Sequence, residues 1–397
     1  MTQNNPPEKS TSRLSVLALT SQYPNAASPH QASFNRQQFA ELAKICDLSV
    51  VAPVPIKEML GPGQNPSKPL SRHPPVVHPV FWYPPKFKRQ WHGRTYLWSV
   101  WPAVQRVAKS RAFDVMLATW LYPDGWAAGV MARRLGLPLV IKLHGSDVHT
   151  LGRDATRRPK LIEALAAANK VVAVSRDLAE AAEELGAAAE RITVVPNGID
   201  HDLFRPRDKL RAREELGLDP HATYLLFLGR LNLVKGPDLA VEALTLINDA
   251  NLLVVGDGPM EESLKQRAAR LGLGERVLFL GQRPHQEVPR YLAACDLLVL
   301  PSRSEGQPNA VLEALAAERP VVAAAVGGVP EIVADSRQGM LFPPEDPAAL
   351  AAAVRRALEY PWDNRVLAEP LAQRSWKANA AKLLEVLGTA GREAQAP

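Results

Sequence analysis

The sequence predicts an α/β protein built from two doubly wound parallel-sheet domains that face each other across a crevice. Twelve short apolar runs alternate with longer helical patterns along its 397 residues, as in parallel sheets whose strands are buried on both faces. A chain of this length exceeds what one hydrophobic core usually holds. A turn through Asn197 and Gly198 divides the runs into two series, so each series predicts one domain.

The two series set the predicted domain limits. The first domain spans residues 13–198, with strand runs LSVLAL, LSVVAP, VMLAT, LVIKLHG, VVAVS and ITVVP. The second spans residues 199–370, with runs YLLFLG, NLLVVG, VLFLG, LLVLPS, PVVAAA and GMLFP. After a break at residues 360–362, we expect a C-terminal helix within residues 371–397, around residues 375–387, to cross back and complete the first domain. The polar residues 1–12 predict a disordered tail.

Composition places the chain among folded, water-soluble proteins. Hydrophobic residues make up 46% and charged residues 22%, the balance of an ordinary globular protein. No apolar run approaches the roughly 20 residues of a membrane-spanning helix, and the N-terminus lacks the apolar core of a secretory signal. We therefore expect a cytoplasmic protein. Cys46 and Cys295 sit beside apolar runs, which favours buried small hydrophobes over a disulfide or metal ligands.

Residues that follow strands are the first candidates for a site, because α/β domains bind ligands at the carboxyl ends of their strands. In LLFLGRLNLVKGPDL the strand ends at Gly229, and Arg230 and Lys235 precede a helix opened by Pro237. Two cations before a helix N-terminus favour an anion such as a diphosphate. Solvated loop charges are the alternative interpretation of these two residues.

The stretch SRSEGQPNAVLEALA carries two glutamates, one on each side of a proline. Pro308 and Asn309 suit a helix start, so Glu305 falls in the loop after a strand and Glu313 about one turn inside the helix. The two carboxylates therefore do not share one helical face, and the helix start between them is a second place for an anion. A loop acid and an ordinary surface acid are the alternative.

A histidine follows another strand, in KLHGSDVH. The imidazole of His144 suits chemistry in the crevice because of its pKa and its two ring nitrogens, although a lone histidine is more often structural. Asp200 and Asp202 form a DxD of the kind that holds a metal beside a diphosphate, but they lie in the interdomain turn. We therefore predict no metal site.

Seven stretches, in order and over nearly the full length, resemble glycosyltransferase family 4, the retaining GT-B-fold glycosyl transferases of group 1. They are LTSQYPNAASPHQASFNRQQFAELA, HGSD, VVPNGIDHDLF, GRLNLVKG, VVGDGP, EGQPNAVLE and RPVVAAAVGGVPEIV. The resemblance implies a nucleotide-sugar donor held mainly by the C-terminal domain and an acceptor held mainly by the N-terminal domain. It also implies transfer with retention of configuration at the anomeric carbon.

The resemblance implies a role for each matching residue. Arg230 and Lys235 bind the donor diphosphate, Glu313 binds the ribose hydroxyls, and Glu305 orients the sugar hydroxyls rather than acting as a nucleophile. His144 approaches the sugar from the opposing domain. The other donor-binding candidates, most of them through the backbone, are Gly229, Gln282, Arg283, Gln307, Pro308, Asn309 and Ala310. Cations and helix amides stabilise the charge that develops on the departing diphosphate, so no metal or other cofactor is needed.

The loop after the first strand refines the prediction. SQYPNAASPHQASF lacks the glycine-rich sequence that many family members carry there, which puts its contact with the donor phosphate in doubt. Its YPN start, together with LYPDG at residues 121–125, is similar to the branch associated with exopolysaccharide and teichuronic acid. We predict a cell-envelope glycan or lipid-linked acceptor. A soluble small-molecule or glucan acceptor and an inactive donor-binding scaffold are the alternatives.

Basic and aromatic residues concentrate before residue 114. Tryptophan and basic side chains suit an anionic membrane surface, so the stretch FWYPPKFKRQWHGRTYLWSVW predicts peripheral contact with the cytoplasmic face of the inner membrane. The predicted patch consists of Lys86, Lys88, Arg89, Trp91 and Arg94. Packing of the aromatic side chains on the N-terminal sheet, with solvated charges, is the alternative and stays open. No RNA or DNA motif accompanies the stretch, so nucleic acid is not a predicted partner.

Overall fold

The computed structural model describes residues 13–59, 74–83 and 89–395. Two parallel sheets, of seven and six strands, lie in the two halves of the chain, and helices pack against them. The predicted two-sheet α/β fold is therefore confirmed. The predicted tail, residues 1–12, and the patch residues Lys86 and Lys88 lie outside the described residues. The domain limits at residues 198 and 370 stay predictions.

Within the described residues, the first half of the chain supplies nine strands. They are β1 (Ser15–Leu19), β2 (Asp47–Val51), β3 (Val54–Pro55), β4 (Val76–Val77), β5 (Val80–Phe81), β6 (Val115–Thr119), β7 (Leu139–Lys142), β8 (Lys170–Ala173) and β9 (Ile192–Val194). The seven-stranded sheet has the order β4-β2-β1-β6-β7-β8-β9, and β3 pairs with β5 beside it. The two-residue strands β3, β4 and β5 were not predicted, because they are too short to give a recognisable apolar run.

The second half supplies the six-stranded sheet. Its strands are β10 (Thr223–Leu228), β11 (Ala250–Val255), β12 (Val277–Gly281), β13 (Leu297–Leu300), β14 (Val321–Ala324) and β15 (Gly339–Phe342). They lie in the order β12-β11-β10-β13-β14-β15. In both sheets the strand order reverses beside the first strand, at β1 and at β10. Ligands bind beyond the carboxyl ends of strands at such reversals, so the topology directs attention to the loops that follow these strands.

Helices cover both sheets. Those of the first half are α1 (Ser33–Ile45), α2 (Ile56–Met59), α3 (His92–Ser110), α4 (Trp126–Leu135), α5 (Ser146–His149), α6 (Arg158–Ala167) and α7 (Arg176–Glu184). They are followed by α8 (Lys209–Glu215), α9 (Pro237–Ala243), α10 (Glu261–Arg270), α11 (Val288–Ala294), α12 (Asn309–Ala316), α13 (Val329–Ile332), α14 (Pro347–Glu359), α15 (Asn364–Ala368) and α16 (Trp376–Gln395).

The C-terminal helix returns to the first half of the chain. Leu383 and Leu387 of α16 share a buried apolar cluster with Phe39 and Leu42 of α1. The predicted crossing of the C-terminal segment is therefore confirmed, although α16 ends at Gln395 rather than near Leu387. This contact fixes α1, whose N-terminal end borders the crevice, against an element from the far end of the chain.

Helix α3 contains much of the basic aromatic stretch, and its two faces differ. Tyr96, Val100 and Val104 are buried in the core of the first half, so the packing alternative is correct for this face. Trp98 on the other face is 79% exposed. The exposed residues of this face, here called the α3 stripe, are Trp91, Arg94, Trp98, Pro102, Arg106 and Lys109. None of the helices in the described residues has the length and apolar character needed to cross a bilayer.

Candidate functional site

A crevice of about 1180 Å³ lies between the two sheets, at the carboxyl ends of their strands. We call its lining from residues 21–157 the N-terminal wall and its lining from residues 228–313 the C-terminal wall. The predicted site residues that line it are His144, Gly229, Arg230, Lys235, Gln282, Arg283, Glu305, Gln307, Pro308, Asn309, Ala310 and Glu313. The fold thus brings the predicted donor site together, and the role of each residue stays a prediction.

An ion pair joins Lys235 and Glu305 on the C-terminal wall. Lys235 Nζ lies 2.7 Å from each carboxylate oxygen of Glu305, and Ser302 Oγ donates a further hydrogen bond of 2.7 Å. The Asn232 side chain accepts from Lys235 N at 3.0 Å and fixes the turn that presents the lysine. Glu305 is only 5% exposed, and a buried carboxylate is stable only when its charge is compensated in this way.

Arg230 adds a second cation beside this pair. It follows Gly229 at the end of β10 and is exposed in the crevice. No ion pair or side-chain hydrogen bond links it to another residue in the described part of the chain. A Cβ on Gly256 would lie 1.9 Å from the Gly229 carbonyl oxygen, so glycine is required where these two strand ends meet. The C-terminal wall therefore carries the charge of Arg230, which no carboxylate of the described residues compensates, as well as the compensated charge of Lys235, and this favours an anion.

Glu313 lies inside α12, as predicted, and its partner is a histidine that the sequence analysis missed. His285 Nε2 lies 2.9 Å from Glu313 Oε1, and Gln37 Nε2 of α1 lies 3.2 Å from His285 Nδ1. Phe204 meets the imidazole edge to face at 5.1 Å. The only sequence signal for His285 was its place two residues after Arg283 in the same segment that follows a strand.

Two side chains of the segment between the two glutamates are hydrogen-bonded to Asn197. Gln307 Oε1 accepts a hydrogen bond from Asn197 N, and Asn309 Oδ1 accepts from Asn197 Nδ2 at 3.0 Å. Both side chains are therefore held in place by Asn197, which lines the crevice with them. This geometry suits the backbone contacts that the sequence analysis predicts.

His144 projects from the N-terminal wall and is held by a buried aspartate. Asp147 Oδ1 accepts from the backbone amides of His144 at 3.1 Å and Gly145 at 2.7 Å, and Oδ2 accepts from Leu121 N at 2.9 Å. The His144 ring lies between Phe34, at 4.9 Å, and Trp120, at 6.2 Å. Burial, aided by a nearby lysine, lowers the pKa of His144 well below its ordinary value. The imidazole is therefore neutral at physiological pH.

That lysine, Lys142, is the centre of a buried polar network. Its side chain is fully buried in β7, and Nζ donates to Gln38 Oε1 at 3.0 Å. Gln38 Nε2 in turn donates to Asn379 of α16, which donates to the Pro196 carbonyl. Burial lowers the pKa of Lys142 to about 7. This network was not predicted from the sequence, where its only local signal is a lysine within an apolar strand.

The two halves of the chain meet through backbone contacts and through a contact at a helix end. A Cβ on Gly145 would lie 2.4 Å from Gly306 N, and a Cβ on Gly306 would lie 2.0 Å from the His144 carbonyl oxygen. Nearby, the carboxylate of Glu331 accepts from the amides of Arg176 and Asp177, each at 3.0 Å, at the start of α7. The helix dipole favours an anionic group in this position. The crevice is thus closed at one end by direct contact between the two halves.

A group of aromatic side chains lines another part of the N-terminal wall. Tyr83 and His92 lie 5.2 Å apart, and His92 meets Tyr122 edge to face at 5.7 Å. Burial and the charge of Arg157 lower the pKa of His92 to about 4, so this ring is also neutral. Arg157 lines the same part of the crevice. This wall offers apolar ring faces beside one guanidinium.

Asp124 of the LYPDG stretch anchors the loop that follows β1. Its oxygens accept from Ser21 N at 2.6 Å, Ser21 Oγ at 2.8 Å and Tyr96 Oη at 2.6 Å. Burial raises the pKa of Asp124 to about 6, although these hydrogen bonds lower it. The hydrogen bonds of Asp124 therefore tie the start of this loop, at Ser21, to the LYPDG stretch.

The DxD lies in the turn between β9 and α8, which the carboxylate of Asp200 stabilises. Asp200 Oδ1 accepts from the amides of Asp202 and Leu203, at 3.1 and 3.0 Å. Within the described residues, no group of three His, Cys, Asp or Glu side chains is placed to hold a metal. The carboxylate of Asp200 thus has a turn-forming role.

Family profiles match both halves of the chain. Residues 58–203 match Glycosyltransferase Family 4, and residues 208–382 match Glycosyl transferases group 1. The chain is 32% identical over 362 residues to a putative teichuronic acid biosynthesis glycosyltransferase TuaC of Bacillus subtilis, covering 86% of this chain and 89% of the relative. It is 36% identical over 275 residues to D-inositol 3-phosphate glycosyltransferase 1 of Catenulispora acidiphila, covering 63% and 65%.

Solved structures share the fold. Anabaena HepE in complex with UDP superimposes with a TM-score of 0.68 at 23% identity, covering 96% of this chain and 98% of that one. Sucrose-phosphate synthase from Thermosynechococcus elongatus superimposes with a TM-score of 0.71 at 22% identity, covering 96% and 97%. At these identities the likeness establishes the architecture, which is that of the GT-B fold.

Proposed function

Because the chain belongs to glycosyltransferase family 4, the glycosyl transferases of group 1, we propose that it transfers a sugar, with retention, to a cell-envelope glycan or lipid-linked acceptor. The chain is a nucleotide-sugar glycosyltransferase by family. The observation that carries the proposal is the cationic site on the C-terminal wall, where Arg230 and Lys235 lie beside Glu305 and opposite His144.

The C-terminal wall would hold the donor. Arg230 and Lys235 meet the diphosphate, Glu313 meets the ribose hydroxyls, and the backbone at residues 307–310 meets sugar and phosphate. The base would lie beside Gln282 and Arg283. UDP is the first probe to use, because it is the nucleotide bound to HepE, which shares the fold. Fixed cations stabilise the negative charge that grows on the diphosphate as the glycosyl bond breaks.

Retention would proceed without a covalent enzyme intermediate. The acceptor hydroxyl oxygen bonds to the anomeric carbon on the face that the diphosphate leaves, and the hydroxyl proton passes to the departing phosphate oxygen. Retaining glycosidases instead use a carboxylate nucleophile. Both oxygens of Glu305 already accept hydrogen bonds from Lys235, and such bonds lower the nucleophilicity of a carboxylate. Glu305 therefore orients sugar hydroxyls, and neutral His144 contacts the sugar from the opposite wall.

The N-terminal wall would hold the acceptor. The ring faces of Tyr83, Trp120 and Tyr122 suit the apolar faces of a sugar, and Arg157 suits an anionic group attached to it. The name of the Bacillus subtilis relative, which refers to teichuronic acid biosynthesis, supports an acceptor of the cell envelope. The α3 stripe, with its exposed Trp98, would place this wall on the cytoplasmic face of an anionic membrane.

A soluble acceptor is the second candidate. It is favoured by several relatives named D-inositol 3-phosphate glycosyltransferase, which are 32 to 36% identical to this chain. Flotation with vesicles separates the two candidates. Binding to vesicles that contain anionic lipid supports the membrane acceptor, whereas no binding, with full activity after neutralisation of Lys86, Lys88 and Arg89, supports the soluble one.

A panel of UDP-, GDP- and ADP-sugars tests the proposed activity itself. A ligand that binds only the folded state raises the midpoint of thermal unfolding, so one nucleotide class should stabilise the wild-type protein and Glu313→Ala should abolish that shift. No shift with any nucleotide, and no donor hydrolysis, would leave an inactive scaffold as the better interpretation.

A further inference from the structure

His285 connects the two walls at the place where the nucleotide is proposed to bind. Its Nε2 contacts Glu313 on one side and its Nδ1 contacts Gln37 on the other, at 2.9 and 3.2 Å. Because Gln37 Nε2 is a donor, Nδ1 accepts and Nε2 carries the ring proton toward the carboxylate. A single ring N–H, on Nε2, satisfies both contacts at once.

The histidine is held firmly enough to act as a fixed bridge. Phe204 packs on the ring at 5.1 Å. The His285 and Glu313 side chains are 14% and 11% exposed, so solvent competes little for their hydrogen bond. An N–H donated to a buried carboxylate is among the stronger hydrogen bonds in proteins. The rotation of the Glu313 carboxylate is therefore determined by His285.

Gln37 lies on a helix that also contacts the other parts of the N-terminal wall. In α1, Phe34 packs on His144 at 4.9 Å, and the next turn carries Gln37 and Gln38. Gln38 accepts a hydrogen bond from Lys142 and donates one to Asn379 of helix α16. Residues three and four apart lie on one helix face, so one face of α1 meets His144, His285 and Lys142. Because His285 belongs to the C-terminal wall, its contact with Gln37 joins that wall to this face of α1.

We propose that His285 is a positioning residue that fixes the Glu313 carboxylate for the nucleotide ribose and, through Gln37, links nucleotide binding to closure of the crevice. The proposal rests on the proposed function, because Glu313 must meet the ribose. One lone pair of Glu313 Oε1 is committed to His285, and the remaining lone pairs are directed to the two ribose hydroxyls. Coupling runs through three contiguous side chains rather than through an unspecified path.

The test uses calorimetry with UDP, or with GDP or ADP if that nucleotide stabilises the wild type more, followed by steady-state donor turnover. His285→Phe keeps an aromatic ring and removes both hydrogen bonds. It should weaken nucleotide binding about tenfold, equivalent to ~1.4 kcal/mol, and lower kcat as well. Gln37→Met removes only the second contact, so it should leave the nucleotide Kd within about twofold and lower kcat about fivefold.

Conservative and control variants separate positioning from loss of folding. His285→Gln retains an N–H for Glu313 and should restore the nucleotide Kd to within about threefold of wild type. In kcat, His285→Phe combined with Gln37→Met should be no worse than His285→Phe alone, because the bridge is already broken. Arg36→Met, at an exposed position of the same helix, should match the wild type in both measurements.

The outcomes distinguish this inference from the proposed function. If Glu313→Ala loses nucleotide binding but His285→Phe keeps the wild-type Kd and kcat, the positioning role is wrong and the ribose assignment stands. If His285→Phe, His285→Gln and Gln37→Met all lower the midpoint of thermal unfolding, and all three change Kd and kcat by the same factors, the bridge has only a structural role. The positioning role is then wrong. If Glu313→Ala binds UDP, GDP and ADP as the wild type does, both proposals are wrong.

Discussion

The two walls of the crevice are built in different ways. On the C-terminal wall, each of the two glutamates is paired with a basic side chain that also lines the crevice, Glu305 with Lys235 and Glu313 with His285. Behind the N-terminal wall, buried titratable groups are satisfied mainly by neutral partners, as in Asp147 with three backbone amides and Lys142 with Gln38. The C-terminal wall therefore carries charged groups that can contact a charged ligand. The groups behind the N-terminal wall fix the position of His144.

Because of this difference, substitutions at the two walls should impair different properties of the protein. Removing one member of a paired charge leaves the other uncompensated and removes a contact to a charged ligand, so both stability and binding change. Removing a buried anchor displaces the groups it holds, so orientation is lost while the charges of the opposite wall remain. Substitutions on the two walls should therefore give different combinations of Kd, kcat and stability.

The largest effect is expected for Lys235→Ala. Loss of a cation aimed at the departing diphosphate should lower kcat/KM about 10³-fold, or ~4 kcal/mol, because the charge of the transition state is no longer balanced. Turnover of the nucleotide sugar that stabilises the wild type measures the effect, and the far-UV circular dichroism should stay unchanged. Lys265→Ala, an exposed lysine paired within α10, is the matched control. Wild-type turnover in Lys235→Ala would contradict the assignment of the C-terminal wall.

A smaller loss is expected for Asp147→Asn. The amide places an N–H₂ against backbone N–H donors, so the turn that carries His144 should shift and kcat/KM should fall about 10²-fold. Nucleotide affinity should stay within about threefold, since no group of the C-terminal wall is altered. Asp335→Asn, which changes an exposed aspartate in the second half, serves as control. An equal loss of nucleotide affinity and turnover in Asp147→Asn would show that the two walls are not separable.

Lys142 makes the stability of the N-terminal half depend on pH. Its folded pKa of about 7 lies below the value of about 10.4 in an unfolded chain, so between these values the unfolded chain binds more protons at this residue. The free energy of unfolding should therefore rise with pH, by up to ~1.4 kcal/mol per pH unit from this group. Urea unfolding at pH 7.5 and 9 should show this rise in the wild type and a smaller one in Lys142→Met. Equal slopes in both proteins would rule out a lysine with a lowered pKa.

The smallest effect is expected outside the crevice, on the α3 stripe. Arg94→Ser should weaken partitioning onto anionic vesicles about fivefold, since one basic residue contributes ~1 kcal/mol at such a surface. Trp98→Ser should lower it further. Nucleotide affinity should not change, because neither side chain lines the crevice. Tyr360→Ser, at an exposed aromatic in the second half, is the control, and equal vesicle binding by all four proteins would exclude the stripe as a membrane surface.

The same contrast explains how much of the site the sequence could predict. Arg230, Lys235, Glu305 and Glu313 each lie in a short stretch that contains a strand end and the next helix start, so local patterns were sufficient. The sheets were predictable for the same reason, because buried parallel strands give continuous apolar runs. The fold places all eleven predicted donor-binding residues, together with His144, in one crevice.

The supporting residues of both walls could not be predicted in this way. The Lys142 network joins residues 38, 142 and 379, and the His285 bridge joins residues 37, 285 and 313. No local periodicity connects positions so far apart in the chain. Their proximity follows from the crossing of α16 onto α1 and from the closed crevice, which are properties of the tertiary structure.

Calorimetry on Lys235→Ala and Asp147→Asn in parallel, with UDP or the nucleotide that stabilises the wild type more, is the sharpest test of the separate roles of the two walls. The account predicts that Lys235→Ala weakens binding at least about tenfold, ~1.4 kcal/mol, while Asp147→Asn stays within about threefold of the wild type. Loss of binding in Asp147→Asn as large as in Lys235→Ala, or wild-type binding in Lys235→Ala, would contradict it.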